Sequence, residues 1–312
     1  MPIHAKHIDY QEVKVCPLCN DTGRNVGALH RGTYRFGHQE ILFPRNDLIE
    51  LLQCRSCRLV FKNWIPTPSA IAELFIAEEG QVWRNRHFSY KDEIAVIRNS
   101  VGRDPESVLD VGAGSGDFLR ALQPLIRRRS ALDVTKNSAC VPWVNDEYIE
   151  SFIDSPVKWS GRTYELVTTL DLLEHIYRPK TAASVLSGFL APNGVLIAQT
   201  GDSDSQSDLG RWWYLNLLEH HICWNRDSLQ VFAEICQFNV ENVLQAQHKG
   251  RRYMHVMKKL VVLGLHLMRW SAPFRRLSIT VTGIDPVLVG NPYRKDHITI
   301  VFRKVTNHDS TS

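Results

Sequence analysis

The 312-residue chain has no run of about 18 apolar residues, the length that a membrane-spanning helix requires. A spanning helix is therefore not expected. The first residues, which include Pro2 and Lys6, lack the apolar core of a secretion signal, so secretion is not expected either. Four of the seven cysteines occur in C-x-x-C pairs, a spacing typical of reduced thiols. We therefore expect a cytoplasmic protein.

Acidic side chains are absent from residues 242–284, although this segment carries eight Lys or Arg residues. The formal net charge of the chain is +4, so the +8 of this segment leaves −4 on the remainder. A protein that coats nucleic acid would be basic over more of its length, and nucleic acid is therefore not the expected partner. The segment instead predicts a local surface that faces an anion.

Three glycines at alternate positions follow a short apolar run, Ser107–Val111. The run predicts a buried parallel strand, and the residues after the glycines predict the start of a helix. Glycines at Gly112, Gly114 and Gly116 would let a ligand lie against the backbone where strand turns into helix. The G-x-G-x-G spacing differs from the G-x-G-x-x-G of dinucleotide-binding proteins, which argues against a nicotinamide oxidoreductase.

An acidic residue, Asp133, follows 21 positions after Gly112, at the predicted end of the second strand. A carboxylate there is placed to accept hydrogen bonds from two ribose hydroxyls. Asp133 therefore predicts a nucleoside-containing ligand without choosing between adenosylmethionine and a nicotinamide dinucleotide.

Four ordered motifs resemble class I S-adenosylmethionine-dependent methyltransferases. They are D-x-G-x-G-x-G from Asp110, the acid at Asp133, the "D-x-L-E-H" pattern at 171–176 after a predicted strand at Tyr164–Leu170, and the "L-x-P-x-G-x-L" pattern at 189–198. The resemblance implies an α/β fold, a Rossmann-like core with a mostly parallel seven-stranded sheet, and S-adenosylmethionine as cofactor. It assigns cofactor binding to six residues: Asp110, Gly112, Gly114, Gly116, Asp133 and Asp171.

Two C-x-x-C pairs, Cys16/Cys19 and Cys54/Cys57, are separated by 34 residues. Four thiolates form the tetrahedral donor set of a structural Zn²⁺ site, and a unit this small has too few apolar residues to fold by burial alone. The gap exceeds the roughly 15–20 residues of a compact zinc ribbon, so an extra loop or hairpin is expected within 31–52. Unligated or redox thiols are the alternative.

The residue that follows each pair bears on this prediction. Asn20 suits a positive φ, whereas Arg58 does not. A double C-x-x-C unit ahead of this core is similar to bacterial enzymes that methylate sugars, nucleotide-sugars and related metabolites. The C-methylating members carry a further large C-terminal domain, for which this chain is too short. The resemblance therefore favours an oxygen acceptor.

Residues 211–214 and 218–222 resemble the "W-x-Y … E-H-x-x-x-F-S" stretch that lines the acceptor pocket of these enzymes. A hydroxyl acceptor needs a base near neutral pH, and a carboxylate beside a histidine raises the pKa of that histidine. We therefore predict His220 as the base and Glu219 as its partner. His221 is the alternative, since adjacent side chains point different ways.

Two further features near the predicted active site have competing interpretations. The resemblance places Asp171 and His175, which is a further catalytic candidate, beside the sulfonium end of the cofactor. Asp171 and Glu174 also have the spacing of a helix capping box. The aromatic triplet at 212–214 either stacks on a sugar ring or closes the pocket.

The basic segment contains an apolar run at 260–268 between Lys258-Lys259 and Arg269. We favour a helical lid over the acceptor pocket. The alternatives are a peripheral contact of 249–276 with an anionic membrane surface and the binding of a phosphate-bearing acceptor.

At 312 residues the chain can hold one large α/β domain with a small appendage. Ser69 is predicted to cap a helix that begins at Ala70. The predicted segments are a zinc-binding unit (1–65), a helical linker (66–104), the S-adenosylmethionine-binding α/β core (105–248), a basic helical insertion (249–293), the last strand of the core (294–306) and a tail (307–312).

The leading interpretation is an S-adenosylmethionine-dependent O-methyltransferase that acts on a saccharide, a nucleotide-sugar or another small metabolite. An RNA methyltransferase is the first alternative, but the Asn/Asp-Pro-Pro-aromatic motif of enzymes that modify base amino groups does not follow the fourth strand. A non-catalytic, methyltransferase-like binding subunit is the second. The intact glycines and Asp133 argue against it.

Overall fold

The computed structural model describes residues 6–29, 33–36, 39–43, 48–77, 90–246 and 295–305. The predicted basic insertion (249–293), including the stretch 249–276, lies outside the described residues, and so does the tail (307–312). Among the helices of the described ranges, none combines the length and the hydropathy needed to cross a bilayer.

The chain begins with small antiparallel sheets. Their strands are β1 (Tyr10–Glu12), β2 (Gly23–Leu29), β3 (Thr33–Phe36), β4 (Gln39–Leu42), β5 (Ile49–Cys54), β6 (Val60–Lys62) and β7 (Trp64–Pro66). The hairpin of β3 and β4 occupies the gap between the two C-x-x-C pairs, which confirms the expected insertion.

The apolar side chains of this N-terminal unit do not form a core of their own. Leu29, Phe36 and Ile49 are buried in one cluster with Trp212 and Leu215 from the far half of the chain. The unit therefore buries its apolar surface against the rest of the protein, a source of stability that the local sequence does not reveal.

Two helices follow, α1 (Pro68–Ala77) and α2 (Lys91–Val101). The prediction that Ser69 caps a helix beginning at Ala70 is wrong. The helix begins at Pro68, whose fixed φ suits the first helical position. The Thr67 hydroxyl accepts a hydrogen bond from the Ala70 amide at 3.3 Å and so satisfies an otherwise unpaired donor.

The remaining strands and helices build the α/β core. The strands are β8 (Ser107–Val111), β9 (Arg128–Asp133), β10 (Tyr148–Glu150), β11 (Tyr164–Leu170), β12 (Leu190–Gly201), β13 (Ile222–Cys223), β14 (Phe238–Ala246) and β15 (His297–Lys304). The helices are α3 (Asp117–Leu122), α4 (Pro179–Phe189) and α5 (Arg226–Cys236).

Seven of these strands form one sheet in the order β10-β9-β8-β11-β12-β15-β14. All neighbouring pairs up to β12 are parallel, and β15 is antiparallel to both β12 and β14. The predicted mostly parallel seven-stranded sheet is confirmed, and with it the strands predicted at Ser107–Val111 and Tyr164–Leu170.

Alternate strand residues face opposite sides of the sheet, and both sides are covered. Leu109 and Val167 join one buried cluster with α4 and α5, whereas Val108 and Leu166 join another with α2 and α3. A parallel sheet buried on both faces has strands that are mostly apolar, and all five residues of β8 are buried. Its two polar residues, Ser107 and Asp110, accept hydrogen bonds from the Glu165 amide and the Thr168 hydroxyl.

β13 is the exception among the core strands, because it pairs with β6 and not with the main sheet. Together β13, β6, β5 and β2 form a four-stranded sheet. The segment just before β13, which carries His220 and His221, is therefore anchored to the N-terminal unit.

Candidate active site

The glycine-rich turn after β8 forms part of the wall of a cavity. Gly112, Gly114 and Gly116 have φ of 78°, 53° and 75°, a conformation that costs an L side chain about 1–2 kcal/mol. A β-carbon on Gly116 would lie 2.8 Å from Cys140 Cα, so packing leaves no room for one. A β-carbon on Gly114 would meet no atom within 4 Å, which leaves that stretch of backbone open to a ligand.

Asp133 ties the end of β9 to this turn. One carboxylate oxygen accepts a hydrogen bond from the Gly114 amide at 2.7 Å, and the other accepts one from the Val134 amide at 2.7 Å. Burial raises the pKa of Asp133, and these backbone amides oppose the rise. The neighbouring Asp110 is buried and accepts a hydrogen bond from the Thr168 hydroxyl at 2.7 Å.

A cavity of about 390 Å³ opens at the carboxyl ends of the parallel strands. Such sheets bind ligands at this edge. The cavity is lined by five of the six predicted cofactor residues and by all the predicted catalytic candidates: Asp110, Gly112, Gly114, Asp133, Asp171, His175, Glu219, His220 and His221. Gly116 is not among the lining residues, because it packs against Cys140.

The two adjacent histidines differ in their surroundings. The ring of His220 lies against His175, with centroids 4.9 Å apart, and against Tyr214 at 4.0 Å. The ring of His221 instead packs on Tyr177 at 4.2 Å. Of the two, His220 is therefore the one whose ring lies beside His175 in the cavity.

The expected pairing of Glu219 with His220 is not found: in the described part of the chain, no hydrogen bond joins these two side chains. Glu219 interacts electrostatically with Lys62 of β6, which is itself buried. Burial raises the pKa of Glu219 to about 7 and lowers that of Lys62 to about 7, and the charge of each opposes the shift of the other.

The expected rise in the pKa of His220 is also wrong. Burial holds the pKa of His220 well below its ordinary value, and the nearby His175 and Lys62 lower it further. Burial likewise lowers the pKa of His175 to about 4. Both rings are therefore neutral at pH 7, and a neutral imidazole nitrogen is available as a hydrogen-bond acceptor or a metal ligand.

The segment after β11 does not form the expected capping box. Asp171 has a φ of 58°, and the short 3₁₀ turn Leu173–His175 begins after Leu172 with no side-chain cap. Glu174 is fully buried instead, and one of its oxygens accepts a hydrogen bond from the Thr200 hydroxyl at 2.9 Å. Burial and the charge of Asp171 raise the pKa of Glu174 to about 7.

The aromatic triplet divides between the cavity and the core. Trp213 and Tyr214 line the cavity, whereas Trp212 is buried and stacks on Tyr214 with ring centroids 4.6 Å apart. Sequence reasoning missed Ile71 and Phe75 of α1, which also line the cavity. Their spacing of four residues places both on one helix face and was the available signal.

The four cysteines of the C-x-x-C pairs converge. The Sγ atoms of Cys19 and Cys54 are 3.3 Å apart, those of Cys16 and Cys57 are 3.5 Å apart, and all four lie within 4.8 Å of one another. None forms a disulfide. Four sulfurs about 2.3 Å from a central Zn²⁺ would be about 3.8 Å apart, which is close to this arrangement.

The backbone after each pair has the same left-handed conformation, with a φ of 66° at Asn20 and 61° at Arg58. The expectation that Arg58 departs from this pattern is therefore wrong. The side-chain amide of Asn225, the residue that caps α5, donates a hydrogen bond to the Arg58 carbonyl at 2.9 Å. The Arg58 guanidinium also pairs with Asp204 at 3.1 Å and with Asp227 at 3.3 Å.

A family model described as "Methyltransferase domain" matches residues 82–243, more than half of the chain. The chain belongs to this methyltransferase family. Its sheet order and glycine turn make it a class I S-adenosylmethionine-dependent methyltransferase, which confirms the resemblance drawn from the motifs.

Two curated relatives of this methyltransferase are O-methyltransferases. It is 25% identical over 121 residues to the ubiquinone biosynthesis O-methyltransferase of Vibrio atlanticus, covering 36% of this chain and 51% of that protein. It is 22% identical over 188 residues to the malonyl-[acyl-carrier protein] O-methyltransferase of Halalkalibacterium halodurans, covering 52% and 68%. The match therefore spans about half the length of the Vibrio protein.

Among solved structures, the methyltransferase is similar to the 1,6-didemethyltoxoflavin-N1-methyltransferase of Burkholderia thailandensis. The TM-score is 0.50 at 15% sequence identity, and the match covers 81% of this chain and 98% of that one. This similarity concerns the fold.

Proposed function

We propose that the enzyme transfers the methyl group of S-adenosylmethionine to a hydroxyl oxygen of a small metabolite such as a saccharide or nucleotide-sugar. The observation that carries the proposal is that one cavity joins the turn of Gly114 and Asp133 to two neutral histidines, His175 and His220. The two O-methyltransferase relatives support oxygen as the acceptor atom.

The cofactor half of the cavity is proposed to hold the adenosyl group. The Asp133 carboxylate would accept hydrogen bonds from the ribose hydroxyls while it keeps those from Gly114 and Val134, since each oxygen has a second lone pair. Asp110 and Asp171 would lie toward the methionine end. The solved Burkholderia enzyme binds S-adenosylhomocysteine, which supports this ligand class.

The acceptor half is proposed to bring the hydroxyl in line with the S–CH₃ bond. An oxygen lone pair forms the O–CH₃ bond as the S–CH₃ bond breaks, and the electron pair of that bond neutralises the sulfonium. The hydroxyl proton passes to the neutral His220 and then to water. His175 contacts His220 and orients its ring. When Glu219 is ionised, a form that the charge of Lys62 favours, its negative charge would offset the positive charge that forms on His220.

We also infer that Cys16, Cys19, Cys54 and Cys57 hold a structural Zn²⁺. Four sulfur donors close the coordination sphere, so this ion would stabilise the fold and would not touch the acceptor. Such a site needs reduced thiols, which fits the cytoplasm that the sequence predicts.

Two measurements test the proposed function. Calorimetry with S-adenosylhomocysteine and with NAD should show binding of the first only. Transfer of an isotope-labelled methyl group from S-adenosylmethionine should then be followed on a panel of hydroxylated metabolites and on RNA. Labelled ethers on a metabolite support the proposal; label on RNA alone, or on nitrogen or carbon, contradicts it.

A further inference from the structure

Three side chains at the acceptor end of the cavity converge on one point. Glu174, His175 and His220 each direct a metal-ligating atom to positions within 4.8 Å of one another, and Glu174 and His220 are buried. They come from two separate segments, the 3₁₀ turn after β11 and the loop before β13. These three residues are called the Glu-His-His cluster below.

Two atoms of the cluster lack a hydrogen-bond partner in the described part of the chain. They are Glu174 Oε1 and His220 Nδ1, and both are inaccessible to water. The other Glu174 oxygen accepts a hydrogen bond from the Thr200 hydroxyl at 2.9 Å, and the Tyr214 hydroxyl also lowers the pKa of this carboxyl. Oε1 is the oxygen that lies 3.9 Å from His175 Nε2. Buried polar atoms are normally paired, and an unpaired one points to a missing ion or water.

The spacing within the cluster fits a shared ion better than a direct contact. His175 Nε2 lies 3.9 Å from Glu174 Oε1, which is too long for a hydrogen bond. Two ligands that each lie about 2.0–2.2 Å from one metal ion are separated by roughly 3–4 Å.

We propose that Glu174, His175 and His220 bind a divalent transition-metal cation that is distinct from the ion of the cysteine site. Two imidazoles and one carboxylate suit first-row ions such as Zn²⁺, Fe²⁺ and Co²⁺, and three protein ligands leave a coordination position open. All three residues line the cavity, so the open position would face the acceptor.

The role of this cation rests on the proposed function, because it concerns the same hydroxyl acceptor. A divalent cation acts as a Lewis acid and lowers the pKa of a hydroxyl that ligates it. In the metal-bound enzyme the proton would leave to solvent when the acceptor binds. This step would replace the proton transfer to His220 described above, and His220 would act as a ligand. The methyl transfer itself keeps the same balance of bonds and charge.

Cobalt titration of the full-length protein tests the site. The purified protein, with zinc retained at the cysteines, is treated with a mild chelator, desalted and titrated with Co²⁺ alone. We expect one equivalent to give visible d–d absorption without a thiolate-to-cobalt band. Glu174→Gln and His220→Asn should each weaken binding by on the order of 10–100-fold or more, since even outer-shell changes cost that much.

The matched control is His221→Asn, which alters a buried histidine next in the chain whose ring packs on Tyr177. It should keep the Co²⁺ affinity of the wild type, and S-adenosylhomocysteine binding should show that each variant is folded. If either Glu174→Gln or His220→Asn does not fold, the remaining variant and the Co²⁺ spectrum of the wild type still test the site. Absence of a non-thiolate Co²⁺ site in folded wild type, or equal losses in His221→Asn and His220→Asn, overturns the inference.

The two proposals fail separately. If chelator-treated enzyme methylates a hydroxyl at the full rate and shows no Co²⁺ site, the cation inference is wrong and the proposed function stands. If Co²⁺ binds to the cluster but no hydroxyl acceptor is methylated under any metal condition, the proposed function is wrong and the cation site stands.

Discussion

Alanine substitutions in the glycine turn should separate fold stability from cofactor binding. Gly114 and Gly116 both have positive φ, so alanine costs about 1–2 kcal/mol at either position. At Gly116 the new methyl group would also lie 2.9 Å from the sulfur of Cys140 and 3.0 Å from the ring of Trp143. Overpacking of this kind adds about 1–3 kcal/mol, for a total of about 2–5 kcal/mol at Gly116.

At Gly114 the methyl group has open space and projects into the cavity, so the free energy of unfolding should fall by only about 1–2 kcal/mol while S-adenosylhomocysteine affinity falls. Gly161→Ala is the matched control, because Gly161 has a φ of 80°, no neighbour within 4 Å and no place on the cavity wall. Urea unfolding and calorimetry provide the two measurements. Equal stability losses at Gly114 and Gly116, or wild-type affinity in Gly114→Ala, would refute the reasoning.

Four further changes test the rest of the site. Asp133→Ala should weaken S-adenosylhomocysteine binding by about 1–3 kcal/mol in calorimetry, because buried partners lose their acceptor; unchanged affinity would contradict its cofactor role. Cys16→Ser should lower zinc content and melting temperature together, since the free energy of metal binding stabilises the fold, and native protein free of zinc by elemental analysis would count against the site. His220→Ala should reduce the single-turnover rate by ~10²–10⁴ with cofactor affinity retained, while His221→Ala should lose far less; a wild-type rate in the first variant sinks the assignment. Lys62 has its pKa lowered by burial to about 7, so the unfolded chain binds more protons above that pH and stability should rise with pH. Between pH 7 and pH 9 the free energy of unfolding of the wild type should gain about 2 kcal/mol relative to Lys62→Met in urea titrations, and parallel profiles would show that the shift is absent.

The geometry of the glycine turn and of Asp133, which are proposed to hold the cofactor, could be predicted from sequence because its signals are local. A buried strand, three glycines and an acid at the end of the next strand lie within a single stretch of chain, and backbone geometry fixes their relative positions. Asp133 accordingly reaches the Gly114 amide, as a strand-end carboxylate should.

The surroundings of the proposed acceptor residues could not be predicted in the same way, because they depend on contacts between distant segments. Because Glu219 and His220 are adjacent in the chain, the sequence predicts that the carboxylate pairs with the histidine. In the structure, Glu219 instead interacts electrostatically with Lys62, which lies on a strand of the N-terminal unit. The pKa of His220 is lowered because the ring is buried. The hydrophobic periodicity of the sequence does not show which residues of a loop are buried. Likewise, Arg58 has a left-handed conformation, and its contacts with Asn225, Asp204 and Asp227 come from residues far along the chain.

The pairing of β6 with β13 also bears on how this enzyme could be redesigned. Since the Lys62 amide bonds to the His221 carbonyl, the acceptor-side loop and the cysteine unit share one hydrogen-bonded ladder. A chimera that grafts the N-terminal unit of another enzyme onto this chain would break that ladder next to the proposed catalytic residues. A library that seeks new acceptors should therefore move residues 6–66 and 212–223 together as one cassette, while the cofactor segment from β8 to Asp133 is kept as a constant platform.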